Sequence, residues 1–200
     1  MRTDAELVID ARAGSEAAFR EIVARYQRPL YAFVLRMVRE PATAEDLSQE
    51  VLIKVYRALS SYDPSRKFSS WLFKIAHNAT IDSLRRRDPP AESLDGDRAE
   101  GEGPAREFAD PRAISPEKSR ERSEMARALD RALGQLRPEY REVMLLRFRE
   151  GLPYEEISEI TGMPLGTVKT FLHRARGQME NLLTAAGWGP KLPPTGERRG

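Results

Sequence analysis

Apolar side chains recur at helical spacing from Phe19 through Ile22, Val23, Tyr26, Leu30, Phe33, Val34 and Met37, which predicts a long amphipathic helix kinked at Pro29. A second stripe, Leu47, Val51, Val55 and Leu59, predicts a helix that begins near Thr43 and ends near the turn residues 60–64. Thr43 and Asp46 have the spacing of a capping box. A third helix is predicted to start with Ser69 as N-cap, with Phe68 and Phe73 as a hydrophobic staple, and to run to about Arg87. Asp88-Pro89-Pro90 stops it, because a proline disfavours the helical conformation in the residue before it. Residues 1–87 therefore read as a helical bundle.

Periodicity resumes later. Met125, Leu129, Leu133 and Leu136 form one stripe, and Tyr140, Val143, Met144 and Phe148 begin another after Pro138, which suits a first helical turn. Gly151 ends it. Residues 154–161 then read as a short helix, Gly162-Met163-Pro164 as a tight turn, and 167 to about 183 as a longer helix with Val168, Leu172, Ala175, Met179 and Leu182 facing inward. No strand pattern occurs, so the expected fold class is all-α, in two small helical domains.

Residues 88–118 carry nine acids against four bases, with five prolines and three glycines, and show no sustained apolar period. A structureless loop of that length is foreign to one compact domain, which predicts a flexible acidic linker over 88–119 between domains 1–87 and 120–186. Roughly thirty extended residues at about 3.3 Å each reach on the order of 100 Å, several times the roughly 34 Å of a DNA turn. The Pro- and Gly-rich segment 187–200 reads as a disordered tail.

The net charge of the 200 residues is only +2, but its distribution is uneven. Residues 66–87 hold six bases (Arg66, Lys67, Lys74, Arg85, Arg86, Arg87) against Asp82 alone. The absence of cysteine excludes disulfides, a thiolate nucleophile and cysteine zinc sites, and the two histidines, His77 and His173, stand far apart, so neither metal nor cofactor is expected. No apolar run approaches the roughly 20 residues of a membrane span, and the amino terminus lacks a secretory core, so no membrane insertion and a cytoplasmic location are expected.

YEEISEITGMPLGTVKTFLHRAR, residues 154–176, places a glycine-containing turn between a short helix and a basic one, as a helix-turn-helix requires. Ile157 and Val168 would clamp the pair. The second helix then presents Lys169, Thr170, His173, Arg174 and Arg176 outward, with no acid between Leu165 and Gln178. A DNA major groove admits such a helix, where Lys and Arg meet guanine edges and Thr and the helix amino terminus meet phosphate. A solvated basic face on a structural helix is the plain alternative.

In the third predicted helix Trp71, Lys74, Asn78 and Arg85 share one face, followed by the run RRR. Stacking rings, amides and cations together suit unpaired bases. Trp71 fits core as well as contact, and the arginine run fits a solvated helix end. The helix DLSQEVLIKVYRAL carries Gln49, Glu50, Ile53, Lys54 and Arg57 opposite its apolar face; an exposed isoleucine among charges points to a protein partner, or to an ordinary amphipathic helix.

AEDLSQEVLIKVYRAL, then FSSWLFKIAHNATIDSLRRR, a loose tether and LRPEYREVMLLRFREGLPYEEISEITGMPLGTVKTFLHRAR resemble the extracytoplasmic-function sigma factors of bacterial RNA polymerase over nearly all of residues 15–185. The resemblance implies a non-enzymatic initiation subunit that recruits core polymerase to promoters and helps to melt them. It implies that Asp46, Gln49, Glu50, Ile53 and Lys54 dock on the beta-prime coiled coil, with the beta flap as a second contact and an anti-sigma factor as a further partner. It implies that the loop 63–70 and the helix after it capture a flipped base of the opened minus-ten element, through Ser65, Arg66, Lys67, Phe68, Trp71, Lys74, Asn78 and Arg85. Duplex at the minus-thirty-five element would be read by Tyr154, Thr167, Lys169, Thr170, His173, Arg174 and Arg176. Phe171 departs from the pattern, standing where relatives commonly carry arginine, and the Pro-rich tail has no counterpart. A stand-alone regulator with an operator-binding helix-turn-helix and an amino-terminal sensor is the competing reading, against which the basic and aromatic face of residues 66–87 speaks. An enzyme is disfavoured, since no P-loop, HExxH motif or cysteine nucleophile occurs.

Overall fold

A computed structural model of the chain describes residues 2–87 and 116–188. The expected linker lies outside the described residues up to 115, as does the tail from 189. Among the described residues there are eight α-helices and no strand: α1 (Asp4–Arg12), α2 (Glu16–Val38), α3 (Pro41–Ala58), α4 (Phe68–Arg87), α5 (Pro116–Gln135), α6 (Pro138–Met144), α7 (Tyr154–Thr161) and α8 (Leu165–Ala185). None of them is long and apolar enough to cross a membrane.

Four helices make the amino-terminal unit. Sequence periodicity overlooks α1, whose apolar residues Leu7, Val8 and Ile9 are consecutive rather than spaced. A capping box starts it: the Glu6 amide donates to Thr3 Oγ1 at 3.3 Å and the Thr3 amide donates to Glu6 Oε2 at 2.7 Å. Ser15 caps α2, and Pro29 lies inside that helix. The expected Thr43–Asp46 box is not formed. Pro41 opens α3 instead, because its missing N–H is one the first turn leaves unbonded anyway, and the Thr43 hydroxyl donates to the Glu40 carboxylate. Phe68 begins α4 one residue before the expected N-cap. The stripes of α2 and α3 pack on α4, so Ile22, Leu30, Phe33, Val34, Val51, Val55, Leu72 and Phe73 form a buried core.

The carboxy-terminal unit begins with α5 at Pro116, four residues before the expected domain boundary. Ala128 and Ala132, not the larger leucines beside them, sit deepest on α5, since small side chains permit the closest approach to α8. After α6 the chain makes a π-helical turn over Leu145–Arg149. The wider turn rotates the residues beyond Met144 about the helix axis, which corrects the expectation for Phe148: it is 57% exposed instead of facing the core.

The two units lie against each other and share one continuous hydrophobic cluster, in which Val143, Leu146, Leu152, Ile157 and Val168 join the residues of the amino-terminal bundle. Helix α7 packs along α4, which sets the loop before α4 against the first helix of the helix-turn-helix.

Candidate nucleic-acid interfaces

The helix-turn-helix is built by backbone geometry before any DNA is considered. Gly162 follows α7 at φ +71°, a left-handed conformation that side-chain-bearing residues resist, and its amide donates to the Ser158 carbonyl at 2.9 Å. Ser158 Oγ donates to the Met163 carbonyl at 2.6 Å, closing the turn, and Pro164 precedes α8. Ile157 and Val168 are fully buried between the two helices. With that face fixed, Lys169, Thr170, His173 and Arg174 are exposed on the opposite side of α8. Thr167 is half-buried, and its amide donates to the Pro164 carbonyl at 2.8 Å. Tyr154 is half-buried under the Arg147 guanidinium, 5.0 Å from its ring centroid. Arg176 is exposed, but its guanidinium lies 5.6 Å from the Phe148 ring, drawn to the flank of α8 away from Thr170.

The second surface lies on α4 and the loop before it. Asp63 shapes that loop by accepting from the Ser65 amide at 2.9 Å, and this bond holds its carboxyl below the usual carboxylate range. Ser65, Arg66 and Lys67 are exposed, as are Lys74, Asn78 and Arg85 along α4. Trp71 is half-buried, its ring tilted against Tyr62 at 5.2 Å and Phe68 at 5.6 Å. Phe68 requires a correction. It is 2% exposed, wedged edge-on between Tyr26 and Tyr62, and belongs to the core beneath the loop instead of the expected strand-binding surface. A side chain with no accessible face has nothing to stack on a base.

The third surface is the outer face of α3. Asp46, Gln49, Glu50 and Lys54 are exposed there around Ile53, which is 52% exposed, with Tyr56 one turn on. Lys54 and Glu50 pair at 2.7 Å. An apolar groove of about 390 Å³ opens separately in the carboxy-terminal unit, between Leu129, Met144, Phe148, Met179, Leu183 and Trp188.

Polar groups that periodicity cannot flag join the two units. Arg141 is buried and donates to five carbonyls: Leu133 at 3.0 Å, Gly134 at 2.9 Å and Leu136 at 2.8 Å around the end of α5, and Met37 at 3.0 Å and Arg36 at 3.4 Å at the end of α2. Helix ends leave such carbonyls without partners, and one guanidinium serves two of them. Burial and the neighbouring Arg39 lower its pKa to about 10, so it stays charged near neutrality. His77 of α4 meets the buried carboxylate of Glu142, and Arg36 pairs with Asp130 at 2.9 Å. Lys67 pairs with Glu156 at 2.7 Å and Arg66 with Glu159 at 3.1 Å, while the Ser70 hydroxyl donates to Glu156. The partners that face each other across the two units lie 65 to 105 residues apart along the chain, beyond any local signal.

Among the described residues no group of three or more His, Cys, Asp or Glu side chains is placed to hold a metal ion.

The chain matches known proteins across both of its units. The family model for sigma-70 region 2 matches residues 22–89, and that for sigma-70 region 4 matches residues 126–179. The chain is 35% identical to the ECF RNA polymerase sigma factor SigW of Bacillus subtilis (strain 168) over 175 residues, covering 86% of this chain and 92% of that protein. It is 34% identical to the ECF RNA polymerase sigma-E factor of Escherichia coli (strain K12) over 184 residues, covering 90% and 93%. Among solved structures, CnrH in complex with the cytosolic domain of CnrY aligns with a TM-score of 0.64 at 26% identity, covering 91% of this chain and 97% of that one. Both halves, in this order and at this spacing, make the chain a member of the extracytoplasmic-function sigma factors of RNA polymerase.

Proposed function

We propose that this sigma factor divides promoter recognition between its two units: α8 reads duplex DNA at an upstream element, and α4 with the loop before it holds the opened downstream strand. What supports the first assignment is the single exposed face bearing Lys169, Thr170, His173 and Arg174, mounted on a turn that leaves α8 free for a major groove. What supports the second is the exposed row Lys74, Asn78 and Arg85 beside Trp71, continued by Arg66 and Lys67. A stand-alone regulator needs no such second face, and the relatives, matched across both halves, favour the initiation subunit.

The α3 face of Asp46, Gln49, Glu50, Ile53 and Lys54 is the docking surface for the beta-prime coiled coil in this reading. An apolar side chain in a polar rim is the usual anatomy of a protein contact. The beta flap is the partner of the carboxy-terminal unit, for which the groove at Phe148 offers an apolar seat. An anti-sigma factor is a further partner in this reading; the similar protein CnrH is solved in complex with the cytosolic domain of CnrY. The chain works in the cytoplasm, where the polymerase is, and performs no covalent chemistry itself.

Gel filtration with core polymerase tests the docking surface. The full chain is expected to co-elute with the enzyme, and Ile53→Glu to elute apart while keeping its helical circular dichroism. Undiminished co-elution of Ile53→Glu removes α3 from the interface.

A further inference from the structure

Arg137 stands immediately before α6, exposed, and its guanidinium lies 4.2 Å above the ring centroid of buried Tyr140. Tyr140 meets Phe171 of α8 edge-on at 5.0 Å, and the same guanidinium is 6.0 Å from the Phe171 ring. Two packed rings therefore hold a cation beside the duplex-reading helix, on the flank of Phe171. Among the described residues no carboxylate pairs with Arg137, whereas Arg36, Arg66 and Arg87 are each committed to an acid. A stacked guanidinium keeps its edge donors free, which suits phosphate.

We propose that Arg137 is a phosphate-binding residue of the duplex interface, gripping the DNA backbone alongside α8 without reading bases. The inference rests on the assignment of α8 to duplex DNA. Each phosphate neutralised adds about 0.9 to the slope of log affinity against log salt, so the number of contacts is countable. The test is fluorescence anisotropy with duplex carrying the upstream element, over a salt series, using the full chain. Arg137→Ala is expected to reduce the slope by about 1 and to weaken matched and scrambled duplex alike. Arg137→Lys, which keeps the charge, should hold the slope. Arg137→Ala combined with Phe171→Arg should recover it, since the charge returns to the same flank. An unchanged slope in Arg137→Ala overturns the proposal when Lys169→Ala weakens matched duplex; if Lys169→Ala is also silent, the assignment of α8 itself fails.

Glu156 and Glu159, in the helix of the duplex-reading unit that packs on α4, pair with Lys67 and Arg66, two cations of the strand-binding surface. Lys74, Asn78 and Arg85 remain exposed. We infer that the α7 carboxylates occupy the places of strand phosphates, so the closed chain holds its amino-terminal strand contacts shut and must part α7 from α4 to bind opened DNA. Single-stranded oligonucleotide binding by the full chain tests this. Glu156→Gln with Glu159→Gln should bind several-fold tighter than wild type at low salt, the difference shrinking as salt rises. Equal or weaker binding by the double variant overturns the latch if Lys74→Ala lowers affinity; a silent Lys74→Ala overturns the strand surface on which the latch depends.

Discussion

Arg141 Nη1 donates to the Met37 carbonyl at 3.0 Å, so a side chain of α6 closes the carboxyl end of α2, more than 100 residues away in sequence. The same guanidinium closes α5 through Leu136 and Gly134. A buried arginine with five carbonyl acceptors is costly to remove, because every acceptor loses its donor together.

Arg141→Met is therefore expected to destabilise the chain by about 3 kcal/mol, mostly through unsatisfied carbonyls. Urea denaturation followed by circular dichroism reads this as a lowered midpoint. A change below about 1 kcal/mol would mean that water replaces the guanidinium at no great loss.

Glu150 gives a pH dependence. Burial pushes its carboxyl up to about 7 from an ordinary 4.5, outweighing the pull of Arg149 and Arg36. The folded chain holds this proton to higher pH than the unfolded chain does, so the group weakens folding progressively as pH rises from 4.5 to about 7. Glu150→Gln removes the penalty. Its advantage over wild type should be small near pH 5 and reach up to about 2 kcal/mol at pH 8, after allowing for partial solvent screening. Urea midpoints at the two pH values check the sign; an advantage that shrinks with rising pH contradicts it.

Lys169→Ala and Arg174→Ala should each weaken upstream-element binding by about 1 to 3 kcal/mol, with less effect on unrelated duplex. Footprinting at matched concentrations reads the difference. Wild-type protection by both variants would take them out of the interface.

Asn78→Ala should reduce promoter opening while leaving polymerase docking intact, because an amide that meets a flipped base matters only once the strands part. Permanganate reactivity of the melted region measures opening, and gel filtration measures docking. Equal reactivity would return Asn78 to the solvent.

Much of this architecture is written locally. The inward positions of α3 and α8, from Leu47 to Val55 and from Val168 to Met179, follow from spacing alone, and burial of one face leaves the basic face of α8 pointing out. Short α1 escapes because nine residues with three consecutive apolar side chains show no period. Phe68 misleads, since a ring beside a basic loop looks the same whether it stacks on a base or fills the core. Phe148 misleads because a π turn shifts the register that spacing assumes. Arg141 and Glu142 escape for another reason: a charged residue reads as surface unless its distant partner is known, and theirs are Met37 and His77.

Run-off transcription from a cognate promoter, with core polymerase and the purified chain, tests the central assignment most directly. No transcript is expected from the chain alone and little specific transcript from core alone. The mixture should give a discrete product from one start site, reduced by Lys169→Ala and by Asn78→Ala. A mixture that initiates no differently from core polymerase by itself would contradict the assignment.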